Sequence, residues 1–101
     1  MENKLIENIL KEGVKMSWNE LITYIMKNNK GLIKIKSDVK GHEDTIYVFK
    51  LIPSLNKDFL YDRVEWYYEN KNGKSKIYKA ISLSSALSGR GFTKQNVLNS
   101  L

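Results

Sequence analysis

Residues 63–81 read RVEWYYENKNGKSKIYKAI, and this stretch decides the fold. Apolar and polar side chains alternate before Asn72-Gly73, a dipeptide that strongly favours the two-residue turn of a β-hairpin. The resulting register pairs Glu69 with Lys76, Tyr68 with Ile77, Tyr67 with Tyr78, Trp66 with Lys79 and Val64 with Ile81. Opposite charges and aromatic rings then face each other across the hairpin, which supports this register.

Two further strands are predicted upstream of this hairpin. Residues 32–36 alternate isoleucine with lysine, which indicates a half-buried strand. Residues 45–52 are apolar on both faces, so this strand is expected in the centre of the sheet, and Pro53 ends it. Residues 38–44 form a loop. Residues 53–62 form a long connection whose aromatic and apolar side chains, Phe59, Leu60 and Tyr61, are expected to pack onto the core.

Helices are predicted at both ends of the chain. Residues 2–12 place their apolar side chains on one helical face, and a capping box at Ser17 to Glu20 begins a second helix that ends before Gly31. Residues 83–88 are expected to form one or two helical turns. Thr93 is predicted to cap a short last helix.

The order of these elements predicts an α+β fold in a single domain, residues 1–101. Four strands form an antiparallel meander that includes the Asn72-Gly73 hairpin, and the N-terminal helices and a short C-terminal helix cover one face. The length of 101 residues suits one domain. The other face is predicted to carry Lys34, Lys36, Tyr67, Lys76 and Tyr78 together with Glu65 and Glu69.

Composition excludes several classes of protein. Cysteine is absent, so the chain has no disulfide framework, no zinc-cysteine site and no thiol nucleophile. No apolar run approaches the ~20 residues of a membrane span, and the first residues lack the apolar segment of a secretory signal. We therefore expect a cytoplasmic protein without a membrane partner.

Catalytic and metal-binding patterns are weak. The single histidine, His42, precedes Glu43 and Asp44, but adjacent residues of a turn rarely converge on one ion. The serines between residues 82 and 88 lack the G-x-S-x-G pattern of a nucleophile elbow, and helix capping explains them. We predict no enzyme, no catalytic residue, no metal and no cofactor.

The charge distribution is the most informative functional feature. The formal net charge is +6, from 17 basic and 11 acidic residues. Residues 1–69 balance eleven of each sign, whereas residues 70–101 carry six cations and no carboxylate. Such segregation attracts phosphate backbones or an acidic protein surface. A lysine bias from an AT-rich genome is the alternative explanation.

Residues 88–94 read SGRGFTK and indicate a phosphate cradle. Glycines allow backbone amides to approach a ligand, Arg90 offers a two-pronged donor, and Lys94 stands at a helix N-terminus. A solvated loop between two helices is the alternative. The candidate anion-binding residues are Lys74, Lys76, Lys79, Arg90 and Lys94, and the candidates for base stacking or partner contact are Tyr67 and Tyr78.

Two functional hypotheses follow. The first is a small non-enzymatic protein whose basic C-terminal surface engages nucleic acid, or a host protein that handles nucleic acid. The alternative is an effector of a phage or mobile element that inhibits a host defence enzyme by protein–protein contact, in an anti-CRISPR-like or anti-restriction-like manner. Homodimerisation through the exposed sheet face or the first helix is left open.

Overall fold

The structure is a computed structural model, and it describes residues 15–101. Its elements are, in chain order, α1 (Trp18–Asn28), β1 (Leu32–Lys36), β2 (Ile46–Pro53), β3 (Tyr61–Asn70), β4 (Gly73–Lys74), β5 (Tyr78–Ala80), α2 (Leu83–Ser88) and α3 (Lys94–Ser100). This confirms the predicted α+β class with an antiparallel sheet. The helix predicted over residues 2–12 lies outside the described residues.

The sheet has β2 at its centre, as the apolar character of both its faces predicts. β1 and β3 pair antiparallel with β2 on either side, and both β4 and β5 pair with β3. The predicted fourth strand is thus divided into two short segments. The division has two causes, which are the position of the turn and a bulge that follows it.

The turn of the hairpin lies one residue earlier than predicted. Asn70 pairs with Gly73, so Lys71 and Asn72 form the turn instead of Asn72 and Gly73. The side-chain oxygen of Asn70 accepts a hydrogen bond from the Asn72 amide at 2.8 Å, which is the geometry of an Asx turn. Gly73 completes the reversal with a φ of +117°, a conformation that glycine adopts readily.

A β-bulge follows the turn and changes which side chains meet. The Ser75 amide donates to the Tyr68 carbonyl at 2.8 Å, whereas Tyr78 lies opposite Trp66. Two residues therefore stand opposite Tyr67 where a regular ladder has one. The predicted pairing of Tyr67 with Tyr78 is wrong, because the extra residue moves Tyr78 to the Trp66 side of the sheet.

Among residues 15–101, one core cluster contains buried side chains from each of the three described helices and from one face of the sheet. Its buried side chains are Leu21, Ile22 and Ile25 of α1, Ile33, Ile35, Phe49, Leu51, Val64 and Trp66 of the strands, Leu83, Ala86 and Leu87 of α2, and Val97 and Leu98 of α3. We call this side of the sheet the inner face. Because strand side chains alternate, the remaining positions of the same strands form the outer face.

The connection between β2 and β3 does not pack as predicted. Phe59 and Leu60 are 63% and 45% exposed, so their assignment to the core is wrong. Local hydrogen bonds hold this segment outside, including one from the Phe59 amide to the Asn56 carbonyl. Only Tyr61 turns inward, where its hydroxyl accepts a hydrogen bond from the Leu83 amide at 3.0 Å.

Gly31 joins α1 to β1 at a point where a side chain has no room. Its φ is +78°, and a Cβ would lie 2.9 Å from the Leu51 carbonyl oxygen. We expect Gly31→Ala to lower the free energy of unfolding by about 1–3 kcal/mol, measured by urea denaturation. Gly41→Ala is the matched control, because its φ is +91° but nothing lies within 4 Å. Equal losses in both variants would contradict the role of the close approach.

Candidate nucleic-acid interface

Five exposed lysines share the outer face of the sheet. They are Lys34 and Lys36 of β1, Lys50 of β2, Lys74 of β4 and Lys79 of β5. Their placement follows from the pairing: Lys50 and Lys79 flank Glu65 in one cross-strand row. Since neighbouring strands lie ~4.8 Å apart, the face spreads these ammonium groups over the width of a nucleic-acid strand.

Carboxylates on the outer face are fewer and less exposed. Glu65 and Glu69 are half-buried, and the Glu65 carboxylate forms a salt bridge with the Arg63 guanidinium, with 3.2 Å between nitrogen and oxygen. Among residues 15–101, no carboxylate lies within 4.0 Å of the five lysines. The strands thus place six basic side chains and two acidic ones on this face, a formal excess of four positive charges. The charges that reach furthest into solvent are all positive.

An apolar groove lies among these lysines. Its volume is about 490 Å³, and its lining residues are Asn29, Lys30, Leu32, Val48, Lys50, Glu65, Tyr67 and Ile77. Val48 is only 2% exposed, and Ile77 reaches the groove because the bulge places it opposite Tyr67. The ammonium of Lys74 lies 5.4 Å from the centroid of the Tyr67 ring. A flat apolar group could therefore enter the groove while an attached anion meets lysine.

The bulge divides the basic surface that the sequence predicts. Lys74 and Lys79 lie on the outer face. Lys76 instead holds its ammonium 5.2 Å from the ring of Tyr78, which stacks on Trp66 at 4.5 Å. Tyr78 is therefore part of the inner aromatic cluster and does not join Tyr67 as a stacking surface.

Lys94 is occupied by contacts within the chain. Its ammonium donates a hydrogen bond to the Met16 carbonyl at 3.0 Å and lies 4.9 Å from the Trp18 ring centroid. These contacts connect the start of α3 to the start of α1. The role of Lys94 in anion binding stays a prediction, but its ammonium is already engaged within the chain.

Five backbone amides of the predicted phosphate cradle in residues 88–94 are already engaged within the chain. The amides that it needs donate within the chain: Gly89 to Ser85, Arg90 to Leu87, Gly91 to Ser88, Phe92 to Leu87 and Thr93 to the side chain of Asn96. These bonds end α2 and cap α3, so the glycines serve chain reversal. Arg90 is separate from the lysines, with its guanidinium carbon 5.2 Å from the Trp66 ring centroid.

The loop with the single histidine has a structural organisation of its own. Glu43 accepts a hydrogen bond from the Gly41 amide at 3.0 Å, and bonds from the amides of Glu43 itself and of Gly41 hold the pKa of the Glu43 carboxyl below its ordinary value. Asp44 accepts from the Lys71 amide. Within residues 15–101, no three histidine or carboxylate side chains are grouped to hold a metal ion.

Sequence reasoning undervalued the lysines of the first two strands. Lys34 and Lys36 were expected on this face, but Lys50 was not, and the positive field was assigned to residues 70–101 alone. The placement of these lysines could have been predicted, because every second side chain of a strand lies on the same face of the sheet. Four of the acids that balance these lysines in the count lie in loops, namely Asp38, Glu43, Asp44 and Asp58.

Scans against protein-family models, curated proteins and solved structures give no match to this chain. Within the described range, each helix is too short or too polar to cross a membrane.

Proposed function

We propose that the protein binds a single strand of nucleic acid across the outer face of its sheet. The observation that carries this proposal is the set of five exposed lysines, without carboxylate partners among residues 15–101, around an apolar groove. We take the three described helices to cover the inner face, so that no helix of residues 15–101 lies between the outer face and the ligand. Lysine ammonium groups would hold the phosphates.

The groove is the reason for preferring a single strand. Exposed bases stack on aromatic and apolar side chains, and the half-buried Tyr67 with the exposed Ile77 provides such a surface. A duplex keeps its bases inside and would meet only the lysines. Since most contacts are made by point charges, we expect little sequence preference.

Salt dependence tests this proposal. Five phosphate contacts predict a slope of about −3.5 in a plot of log affinity against log salt, measured by fluorescence anisotropy with a labelled oligonucleotide. Lys79→Gln removes one contact and should change the slope to about −2.8.

Lys57→Gln is the matched control for the salt experiment, because Lys57 is exposed in the connection between β2 and β3 and lies outside the outer face. It removes the same charge and should leave the slope unchanged. Equal effects of both substitutions would mean that the outer face is not the site. Tighter binding of a duplex than of a single strand would remove the role of the groove.

A protein partner is the second candidate function, and a separate surface favours it. Phe59 and Leu60, together with Ile81, which is 91% exposed, line a hollow of about 440 Å³. Three exposed apolar side chains at one hollow are the basis for this candidate, because exposed apolar side chains that form one patch mark protein contacts more often than scattered ones do. The inhibition of a host defence enzyme, which the sequence raises as the alternative, would use this patch instead of the lysines.

Nuclease treatment separates the two candidates. A host protein that is captured after complete nuclease digestion, and is lost on Leu60→Ser but not on Lys79→Gln, would support the protein contact. Capture that requires intact nucleic acid, and that is lost on Lys79→Gln, would support the outer face. The unfolding midpoint of each variant confirms that it is folded.

A further inference from the structure

Two adjoining hollows surround Arg90, on the inner side of the sheet next to the β1–β2 loop. Their volumes are about 420 and 180 Å³, and the residues common to both are Ser37, Val39, Tyr47 and Arg90. We call the pair the Arg90 cleft. The larger hollow falls within the ~300–1,000 Å³ of small-molecule sites. The cleft lies on the opposite side of the sheet from the lysine groove.

Arg90 presents an unused pair of donors to this cleft. Its Nε donates to the Gly89 carbonyl at 3.0 Å, and its guanidinium carbon lies 5.2 Å from the Trp66 ring centroid. No carboxylate among residues 15–101 lies within ion-pair distance of it. The two terminal nitrogens are therefore available for an anion that accepts two parallel hydrogen bonds.

The backbone around Arg90 is held in place before any ligand arrives. Phe92, two residues later, packs edge-on against Tyr47 at 5.2 Å and against Phe49 at 6.1 Å. The Phe92 amide donates to the Leu87 carbonyl, which ties the loop to the end of α2. A donor on a fixed loop loses less conformational freedom when it binds a ligand.

The wall of the larger hollow is aromatic with a polar rim. The centroids of the Tyr47 and Tyr68 rings lie 5.7 Å apart. His42 and Asn70 lie at the edge. The one carboxylate in the lining, Asp38, belongs to the smaller hollow. Arg90 lines both hollows, and the Asp38 carboxylate disfavours an anion in the smaller one, so the larger hollow suits an anion better.

We infer that the Arg90 cleft binds a nucleoside 5′-phosphate, with the phosphate on the terminal nitrogens of Arg90 and the base against Tyr47 and Tyr68. The arrangement joins a bidentate cationic donor to aromatic rings in a hollow of small-molecule size. The ligand could be a free nucleotide or the phosphorylated end of a strand. This inference does not depend on binding at the outer face.

Titration with AMP tests the inference, followed by amide chemical shifts and by the fluorescence of Trp66. We expect saturable changes in the amide shifts of residues 37–47, 68–70 and 90–92. Adenosine and inorganic phosphate should each bind at least about tenfold more weakly than AMP, because adenosine lacks the phosphate that Arg90 would hold and inorganic phosphate lacks the base. A 5′-phosphorylated trinucleotide is the second probe. Preference for AMP identifies a free nucleotide, and preference for the trinucleotide over its 5′-hydroxyl form identifies a strand end.

Variants of Arg90 decide whether the cleft is the site. Arg90→Gln should weaken AMP binding by at least about tenfold, and Arg90→Lys by less, because lysine keeps the charge but not the paired donors. Lys79→Gln, on the outer face, should leave AMP binding unchanged. Any one of three results would overturn the inference. They are an unchanged AMP affinity in folded Arg90→Gln or Arg90→Lys, amide shifts that are confined to the outer face, and no amide shift at about 10 mM AMP.

Discussion

Phe49→Ala is expected to lower the free energy of unfolding by about 3–5 kcal/mol, since the substitution removes a whole ring from a closed core. Phe49 is fully buried and lies between Ile33 and Trp66 in the central rows of the sheet. Its ring is 5.9 Å from the Trp66 ring and 6.1 Å from that of Phe92. It therefore joins three strands to the segment before α3.

The expected loss is a large part of the total free energy of unfolding. A domain of 101 residues has a free energy of unfolding of about 5–15 kcal/mol, so the substitution removes between about a fifth and all of it. Urea denaturation followed by circular dichroism measures the change. Phe59→Ala is the matched control, because the same ring is 63% exposed there and its loss should cost under about 1 kcal/mol. Similar losses in both variants would contradict the assignment of the core.

Local signals in the sequence were sufficient for the three helices within residues 15–101. The capping box of Ser17 and Glu20 is present, with the Glu20 amide donating to the Ser17 hydroxyl at 3.2 Å. Thr93 caps α3 in the same way. Such motifs are read correctly because every atom that they need lies within four residues. The central position of β2 was also predictable, from apolar side chains on both faces.

The register of the hairpin was not predictable from its turn signal. The Asn70 side chain forms a competing turn one residue earlier, and the Asp44 carboxylate of a distant loop accepts a hydrogen bond from the Lys71 amide. Both contacts depend on side chains outside the Asn72-Gly73 pair. Moving the turn by one residue keeps each side chain on its face. The extra residue of the bulge then moves Tyr78 to the inner face, opposite Trp66.

The spatial grouping of the basic residues could not be predicted from the sequence for a related reason. Charge counted along the chain combines strand lysines with loop carboxylates, although the fold separates them in space. Lys50 lies on the outer face while Asp44 and Asp58 lie in loops. Conversely, Arg90 and Lys94 were grouped with the strand lysines only because they follow them in sequence.

Reversing two charges on the outer face is expected to abolish nucleic-acid binding at physiological salt. Lys34→Glu combined with Lys50→Glu takes the formal excess on this face from four positive charges to none. We expect an affinity loss of at least about 100-fold, because two phosphate contacts become repulsive and the field that attracts the strand disappears. Fluorescence anisotropy with the same labelled oligonucleotide measures it.

A control with the same net charge separates the site from the overall charge of the protein. Lys27→Glu combined with Lys57→Glu changes the chain by the same four units, but Lys27 lies on α1 and Lys57 in the β2–β3 connection. If attraction were due to net charge alone, both double variants would lose binding equally, and the outer face would not be a site. If only the double variant of Lys34 and Lys50 loses affinity, the phosphates must contact this face, because long-range attraction is screened beyond about 8 Å at physiological salt.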